Sequence, residues 1–389
     1  IRDRSPSRGL GDVYKRQSPQ YGTAGGVHDQ GGPGYSGPQG GYAPRGGTPT
    51  QGTPASYCAP TGQGWSGRRL NEAERSTQEA LLALKAEIGK AIVGQDAAIT
   101  GLIVALVAGG HALLEGVPGV AKTLLVRALA HALNVDMARI QFTPDLMPAD
   151  ITGSMIWDAG RSEFVFREGP VFTNLLLADE INRTPPKTQS ALLESMEEHT
   201  VSVDGTTRAL PAPFMVIATQ NPIEYEGTYP LPEAQLDRFL LKLELPLPSR
   251  DAEIDIVARH QGGFNPTSLA KAGIHPVAGA ADILAAHEAA ARVEVAPAVI
   301  AYLVDVCRAT RTSPAVRLGV SPRGATALLR TSRVWAFLQG RGFVTPDDIK
   351  TMAPSTLAHR LGLRAEANLE GITAANVVSG VLAATPVPR

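Results

Sequence analysis

The chain has 389 residues, of which 43% are apolar, enough for two folded units with substantial interiors. Its net charge of -1 and pI of about 6.8 argue against a protein that binds nucleic acid mainly through phosphate charge. The two cysteines, Cys58 and Cys307, form no Cys-x-x-Cys pair, and the eight histidines are scattered. We therefore predict neither a zinc site nor a disulfide framework, and a reducing, cytoplasmic setting.

The N-terminal segment, residues 1–68, is rich in glycine and proline and holds 17 of the 40 glycines. It has no helical or strand periodicity and too little apolar surface to offset chain entropy, so we predict a disordered tail. Residues 1–17, IRDRSPSRGLGDVYKRQ, resemble the translated linker sequences found at the ends of environmental sequence assemblies. We expect these residues not to be native, and they carry no prediction about the fold.

From about Leu70 the composition becomes helical. The apolar run of residues 97–114 is long enough to be weighed as a membrane span, but Gly109-Gly110-His111 interrupts it. The run leads directly into a phosphate-binding motif. We therefore predict a buried helix followed by a buried strand, and no membrane span.

Short apolar strands then alternate with amphipathic helices, which is typical of a parallel sheet covered on both faces. The predicted strands are His111–Glu115, Arg139–Thr143, Asn174–Ala178, Phe214–Thr219 and Phe239–Leu243, and the predicted helices include Lys122–Leu133 and Lys187–Glu198.

Two hairpins are predicted to interrupt this alternation, at 153–170 and 199–213. Each surrounds a turn signal, Asp158-Ala159-Gly160 in the first and Asp204-Gly205 in the second. Beyond residue 248 the chain is helical.

We place a domain boundary within residues 249–262. The sequence thus predicts an α/β nucleotide-binding core over 69–250 and an all-helical lid over 262–389.

The chemistry begins with residues 116–123, GVPGVAKT, which match the phosphate-binding pattern G-x-x-x-x-G-K-[ST] except at Ala121. Such a loop directs backbone N–H groups at phosphate oxygens, and the following helix adds its positive end. We expect Ala121 to be tolerated if its backbone φ is below zero. Lys122 is predicted to neutralise phosphate charge, and the Thr123 hydroxyl to bind Mg²⁺. The predicted nucleotide contacts in this loop are Gly116, Val117, Pro118, Gly119, Val120, Ala121, Lys122, Thr123 and Leu124.

Two adjacent carboxylates, Asp179 and Glu180, end the apolar run NLLLADE. Unpaired carboxylates are costly at the end of a buried strand, whereas beside a magnesium nucleotide they have a role. Asp179 is predicted to hold Mg²⁺ through water, and Glu180 to polarise the attacking water. The alternative is a strand that emerges into solvent.

Three further polar residues, each at the end of a predicted strand or helix, are candidates for the site. Asn221 follows an apolar strand and is a candidate to position water, or simply a turn residue before Pro222. Arg238 precedes another strand and is a candidate site residue; alternatively, it forms only a surface ion pair with Asp237. Arg323 lies near the start of a C-terminal helix and is a candidate site residue; alternatively, it is an arginine on the helix surface without a functional role.

These motifs occur in the order of an AAA+ ATPase, and the chain resembles the MoxR family over roughly residues 72–385. The matching stretches are EGVPGVAKT, QFTPDLMPADITG, REGPVF, LLLADEINRTPPKTQSALLESMEE, FMVIATQNPIEYEGTYPLPEAQLDRF and VTPDDI. MoxR proteins are similar in having alanine before the loop lysine, so the resemblance implies that Ala121 is a family feature.

The resemblance implies a fold and a set of roles. The fold is an αβα core with a five-stranded parallel sheet and a helical lid, in which the two hairpins are inserts at or around a ring pore. Asn221 matches sensor 1, Arg323 matches sensor 2, and Arg238 matches the arginine finger that reaches a neighbour's nucleotide. Val93 and Gly94 lie in the segment IVGQ, residues 92–95, that borders adenine.

The resemblance further implies a Mg²⁺–ATP-dependent homo-oligomeric ring, usually hexameric. Members of the MoxR family act as chaperone-like motors on a client complex, commonly with a von Willebrand factor A domain partner. Three alternatives remain open: a DNA-directed AAA+ motor, a non-hydrolysing nucleotide-dependent scaffold, and a chelatase motor subunit. The neutral charge speaks against the first alternative, and the intact Lys122, Asp179, Glu180 and Arg238 speak against the second.

Overall fold

The computed structural model describes residues 67–221 and 228–388. The predicted tail, apart from its last two residues, lies outside the described residues, as do Cys58 and Pro222. In chain order, the first elements are α1 (Glu72–Gly89), α2 (Asp96–Val107), β1 (Ala112–Glu115), α3 (Lys122–Leu133), β2 (Met137–Gln141), α4 (Pro148–Thr152), β3 (Gly153–Asp158), β4 (Glu163–Glu168), β5 (Leu175–Asp179), α5 (Pro186–Glu198), β6 (Thr200–Val203), β7 (Thr206–Ala209), β8 (Met215–Gln220), α6 (Glu233–Leu236) and β9 (Leu241–Glu244).

The remaining elements are largely helical, and a small antiparallel strand pair lies among them. They are α7 (Arg250–Gln261), α8 (Ala280–Ala291), α9 (Pro297–Thr312), β10 (Val316–Leu318), α10 (Pro322–Leu338), α11 (Pro346–Leu357), β11 (Gly362–Leu363), α12 (Ala365–Leu369) and α13 (Ala374–Ala384). Two 3₁₀ turns, Ile181–Arg183 and Ala358–Arg360, follow β5 and α11.

A five-stranded, all-parallel sheet in the order β2-β5-β8-β1-β9 forms the centre of the α/β part, which confirms the predicted fold class. Strand β8 lies between β1 and β5. Because every strand points the same way, all carboxyl ends meet at one edge of the sheet and all amino ends at the other. A residue that follows a strand therefore lies at the carboxyl edge, and a residue that precedes a strand lies at the amino edge.

Apolar clusters cover both faces of this sheet. One runs from the sheet into α1, α2 and α3 and on into the C-terminal helices, and it includes Leu102, Leu241 and Phe337. The other contains Phe142 and Leu192 and lies on the opposite side of the sheet, against α5. Helix α2 is buried along most of its length, as predicted for residues 97–114. No helix in the described part of the chain is long and apolar enough to cross a membrane.

Some strand bounds differ from the prediction. Strand β2 covers Met137–Gln141 and not Arg139–Thr143, and β9 begins at Leu241 and not at Phe239. The later start of β9 has a physical reason. The carbonyl of Phe239 accepts hydrogen bonds from His359 and Arg360 of the helical part, and so does not join the sheet ladder. Helix α3, in contrast, has its predicted bounds because Asn134 ends it in a left-handed conformation, with φ of 48°.

Both predicted hairpins are present, as β3–β4 and β6–β7. The second turns at Asp204 and Gly205, whose φ angles of 49° and 74° are those of a two-residue hairpin turn. The first exposes an aromatic pair at its surface. Trp157 is 56% and Phe164 65% exposed, and their ring centroids lie 5.2 Å apart.

His111, at the amino end of β1, links the sheet to α5. Its Nε2–H donates to the Met196 carbonyl at 2.9 Å, and its Nδ1 accepts from the Val216 N–H at 3.0 Å. Only the neutral ring makes both bonds, since a proton on Nδ1 would face another N–H. Burial lowers the pKa of His111 from 6.5 to about 4.

This burial predicts acid sensitivity. Because the folded-state pKa lies below that of the unfolded chain, the stabilisation is complete above about pH 6.5 and is lost as the pH falls towards 4. Between pH 7 and pH 5, His111 should lower the free energy of unfolding by about 2 kcal/mol. Urea unfolding of the full chain at both pH values tests this.

His111→Gln should be less stable at pH 7 but should lose less stability on acidification than the wild type. His260→Gln, which changes an exposed ring, serves as the control and should follow the wild type. Equal acid sensitivity in His111→Gln and the wild type would contradict the prediction.

Candidate functional site

The loop of residues 116–123 joins β1 to α3 at the carboxyl edge of the sheet. Gly116 packs so closely that a Cβ there would lie 2.8 Å from the Leu245 carbonyl oxygen. Gly119 has φ of 88°, in the region that favours glycine. Lys122 reaches back across the loop, and its Nζ donates to the Gly116 carbonyl at 2.7 Å. The lysine is thus held over the loop, with the amino end of α3 beside it.

Ala121 does not meet the condition that was stated for its tolerance. Its φ is 64° and its ψ is 26°, so it is left-handed rather than below zero. An L-residue in this conformation costs roughly 1–2 kcal/mol relative to the right-handed one. Ala121 is therefore not accommodated by a relaxed backbone. It takes up the glycine conformation as the N-cap residue before α3, where its carbonyl accepts from the Leu125 N–H at 2.9 Å.

A cavity of about 170 Å³ opens beside the loop. It brings the predicted Val93 together with Gly119, Val120, Ala121 and Leu124. Gly94, with φ of 75°, adjoins it in sequence and turns the chain there. The far wall comes from residues that the sequence analysis treated only as a domain boundary or left unassigned: Pro248, Ile256, Arg259, His260 and Phe264.

Helix α7 supplies Ile256, Arg259 and His260 of that wall, and Pro248 and Phe264 flank the helix. Ser249 caps this helix by accepting from the Ala252 N–H, and Arg259 Nη1 donates to the Lys90 carbonyl at 2.6 Å. His260 packs edge-on against Phe264, with centroids 5.5 Å apart. The Ser cap followed by acidic residues in SRDAEID was the sequence signal that could have identified α7 as a structured element. A larger cavity of about 800 Å³, bordered by Lys85, Gly101 and Trp335, contains none of the predicted site residues.

Asp179 and Glu180 stand at the same edge, at the end of β5. The Thr219 hydroxyl of β8 joins them: it donates to Asp179 Oδ1 at 2.6 Å and accepts from the Glu180 N–H at 2.9 Å. Glu180 has φ of 58° and turns its carboxylate away from the strand direction. Thr219, which the sequence analysis missed, therefore holds the two acidic residues in one arrangement.

Both carboxylates already have partners on this chain. Arg139 of β2 donates to Asp179 Oδ2 through Nη2 at 2.7 Å and Nε at 3.1 Å. Glu180 Oε2 accepts from Gln141 Nε2 at 2.6 Å and lies 3.1 Å from Arg183 Nε. Arg139 and Gln141 were also missed. Their alternation along β2, with Ile140 buried between them, is the signal that places them on one face.

Asn221 follows β8 directly and is 6% exposed. Because β8 lies between β1 and β5, this residue stands between the loop of residues 116–123 and the two carboxylates. The predicted Lys122, Thr123, Asp179, Glu180 and Asn221 are thus brought to one edge of the sheet.

Arg238 and Arg323 are not brought there. Arg238 Nη2 lies 3.3 Å from Glu197 Oε2, and Arg323 Nη1 lies 3.1 Å from Glu197 Oε1. The predicted alternative partner of Arg238, Asp237, instead binds Arg360 at 3.1 Å. We call this group the arginine cluster. Its members are Arg238, Arg323, Arg330 and Arg360 with Glu197 and Asp237, around a cavity of about 170 Å³.

The arginine cluster lies at the amino edge of the sheet. Its cavity is bordered by Gly110 and His111, which precede β1, and Leu240 beside them donates its N–H to the His111 carbonyl at 2.8 Å. Strands of four to six residues separate this edge from the carboxyl edge, a distance of roughly 13–20 Å. The two arginines are therefore too far away to contact a nucleotide in the loop of their own chain.

Comparison with known proteins agrees with this geometry. Residues 111–241 match the model of the ATPase family associated with various cellular activities (AAA), and residues 308–381 match the AAA lid domain. The fold and the site therefore define a nucleotide-binding AAA ATPase with a C-terminal lid.

Individual relatives narrow the family. The chain is 49% identical to YeaC of Bacillus subtilis over 302 residues, covering 77% of this chain and 92% of YeaC. It is 44% identical to the chaperone MoxR1 of Mycobacterium tuberculosis over 312 residues, covering 78% of this chain and 81% of MoxR1. A crystal structure from Cytophaga hutchinsonii matches with a TM-score of 0.75 and 38% identity, covering 82% of this chain and 98% of the other. The chain belongs to the MoxR family of AAA ATPases.

The left-handed backbone at Ala121 gives a test. Ala121→Gly should bind nucleotide like the wild type and unfold with equal free energy or about 1 kcal/mol more, since relief of strain outweighs glycine entropy. Ala121→Val should weaken binding at least tenfold, because a β-branched residue strongly disfavours this conformation. Titration with a fluorescent ATP analogue and thermal melting provide the measurements.

Ala285→Val, which makes the same change on an exposed helical position of α8, is the control and should keep wild-type binding. Wild-type affinity in Ala121→Val would mean that nucleotide binding does not need the left-handed conformation at this position.

Proposed function

We propose that this protein is an ATP-hydrolysing, chaperone-like motor of the MoxR type that works as a closed ring, usually a hexamer. Each nucleotide site combines the carboxyl edge of one subunit with Arg238 and Arg323 of the next. The observation that carries the proposal is that these two arginines share Glu197 at the amino edge, away from their own phosphate-binding loop.

The ring proposal follows from that separation. One subunit offers a phosphate-binding loop and two carboxylates on one side, and a cluster of cations on another. A head-to-tail interface joins two different surfaces and forms a ring when the rotation between subunits closes, so each site can draw on both halves. Four arginines against two carboxylates leave the arginine cluster with surplus positive charge, which suits a polyphosphate.

The residues at the carboxyl edge fit a magnesium nucleotide. Thr123 offers a hydroxyl and Asp179 a carboxylate, both hard oxygen ligands of the kind that Mg²⁺ prefers. The buried Asp179 is balanced by the cationic Arg139, so its environment already accommodates a positive charge. When bound with ATP, the ion supplies charge neutralisation at the phosphates.

The chain's own residues then divide the work. Lys122 and the amino end of α3 bind the phosphates. Glu180 polarises the attacking water, and Asn221 orients it from the neighbouring strand end. In the proposed cycle Glu180 exchanges its contacts with Gln141 and Arg183 for that water. Val93, Gly94 and the wall formed by α7 enclose the base.

Work on a partner is assigned to the hairpins. Arg208 of the second hairpin stacks over Phe166 of the first, 3.9 Å from the ring centroid, so the two hairpins are mechanically joined. The exposed Trp157 and Phe164 offer an apolar contact to a client. One relative is a chaperone, MoxR1 of Mycobacterium tuberculosis, and this supports the remodelling of partner proteins. A von Willebrand factor A domain protein is the proposed partner.

Turnover per subunit should rise with protein concentration, because hydrolysis requires a neighbour. Glu180→Gln and Arg238→Ala should each lower turnover at least 100-fold, since an arginine finger alone contributes about 10³–10⁵ in rate. ATP hydrolysis by the full chain over a wide concentration range is the measurement. Arg308→Ala, an exposed arginine of α9, serves as the control.

Flat turnover per subunit together with an active Arg238→Ala would contradict shared sites. Nucleotide binding without hydrolysis in the wild type at every concentration would favour the scaffold alternative.

The double variant Trp157→Ser/Phe164→Ser should keep basal ATP turnover within about twofold, because the pair lies outside the nucleotide site. It should lose most of the wild-type protection of heat-unfolded citrate synthase, measured by light scattering with ATP. Leu369→Ser, which removes an 89% exposed apolar side chain from α12, is the matched control. Full protection by the double variant would exclude the aromatic pair as the client contact.

A further inference from the structure

The short segment that carries Arg238 lies between α6 and β9 and is held by the 3₁₀ turn Ala358–Arg360. Arg360 Nη1 donates to Asp237 Oδ1 at 3.1 Å, and its Nη2 donates to the Phe239 carbonyl at 2.7 Å. Arg360 therefore binds the residue on either side of Arg238. Its Nε donates to the Thr356 carbonyl at 3.1 Å, which fixes the guanidinium to the end of α11.

The contacts of Arg360 with backbone carbonyls of Thr356 and Phe239 are buried, and its contact with Asp237 is partly buried. Arg360 is 7% exposed, and burial lowers its pKa to about 10, so it remains charged at neutral pH. The neighbouring His359 donates its Nε2–H to the same Phe239 carbonyl at 3.0 Å. A buried, charge-assisted guanidinium with several acceptors holds a fixed geometry, because breaking its contacts leaves a charge unpaired.

Arg360 also touches the helix that carries the second arginine. Gly324 follows Arg323 at the start of α10, and a Cβ on Gly324 would lie 3.2 Å from Arg360 Cδ. The stem of Arg360 therefore passes directly over the residue next to Arg323. One side chain contacts the immediate sequence neighbours of both Arg238 and Arg323.

A second link between the same regions offers a comparison. Arg317 of β10 pairs with Glu233 at the start of α6, but the two side chains are 62% and 43% exposed. Exposed ion pairs contribute little to geometry or stability. Arg317 thus joins the same two regions as Arg360 without burial or backbone carbonyl acceptors.

We propose that Arg360 is a positioning residue that sets Arg238 and Arg323 together for the nucleotide of the neighbouring subunit. Because Arg360 belongs to the helical part, a movement of that part in one subunit changes the arginines presented to the next. The inference rests on the proposed function, since it requires that both arginines act across an interface.

Mixing variants tests this directly. Arg360→Gln should lower turnover of the full chain at least tenfold and leave binding of a fluorescent ATP analogue unchanged, because its own loop and carboxylates are intact. Glu180→Gln has a dead site but intact arginines. Mixed one to one, the two should recover roughly a quarter of wild-type turnover per subunit, since half the sites are intact and half of those face intact arginines.

Arg360→Lys is the second variant, in case Arg360→Gln does not fold. It keeps the charge but loses the forked donor geometry, and it should behave in the same way in mixtures. Arg317→Gln, the matched control, should have turnover within about twofold of the wild-type value when it is assayed without a second variant. An Arg238→Ala mixture with Glu180→Gln reports on the proposed function alone.

The outcomes separate the two claims. Failure of the Arg238→Ala mixture to recover activity would overturn shared sites. Recovery in that mixture without recovery for either Arg360 variant would overturn the positioning role, because the Arg360 defect would then lie in its own subunit. Full activity of an Arg360 variant by itself would overturn it as well.

Discussion

The polarity of the parallel sheet is the constraint on which the rest of this protein depends. Five strands that point one way collect their carboxyl ends, with Lys122, Asp179 and Glu180, at one edge. The same polarity leaves Arg238 at the other edge, one strand length away. No rotamer change spans that gap, so under the proposed function the two halves of the site meet only between subunits. Dependence of hydrolysis on assembly is, in this account, a consequence of the fold.

Two buried side chains fix the positions of the residues at the two edges of the sheet. At the carboxyl edge, the Thr219 hydroxyl ties Asp179 and Glu180 to β8, the strand that ends at Asn221. At the amino edge, Arg360 ties the segment around Arg238 to the helical part. Each is a side-chain contact that adds to the backbone hydrogen bonds of the sheet and helices. The proposed motor thus relies on a few buried polar contacts within an otherwise apolar core.

Local patterns predicted the fold well, and long-range contacts could not be predicted. Helix α3 and the alternation of strands follow from periodicity and caps, and both hairpins follow from turn residues such as Asp204-Gly205. Strand β9 was predicted two residues too early, because Phe239 is apolar but its carbonyl is taken by Arg360, 121 residues away. A negative φ was the condition under which Ala121 was expected to be tolerated, since alanine disfavours the left-handed region, yet the loop imposes the left-handed conformation. Glu197 and Thr219 lie in matching stretches but had no assigned role, and Arg360 lies in none of them. Only the tertiary structure identifies these three residues as partners of the predicted site residues.

The most direct test of the account is a structure of the assembled ring with a non-hydrolysable ATP analogue and Mg²⁺. The proposed function predicts that the guanidinium groups of Arg238 and Arg323 both lie within about 3 Å of phosphate oxygens bound by the loop of the adjacent subunit. It is contradicted if Arg323 contacts the nucleotide held by its own Lys122, or if Arg238 and Arg323 remain on Glu197 with no nucleotide beside them.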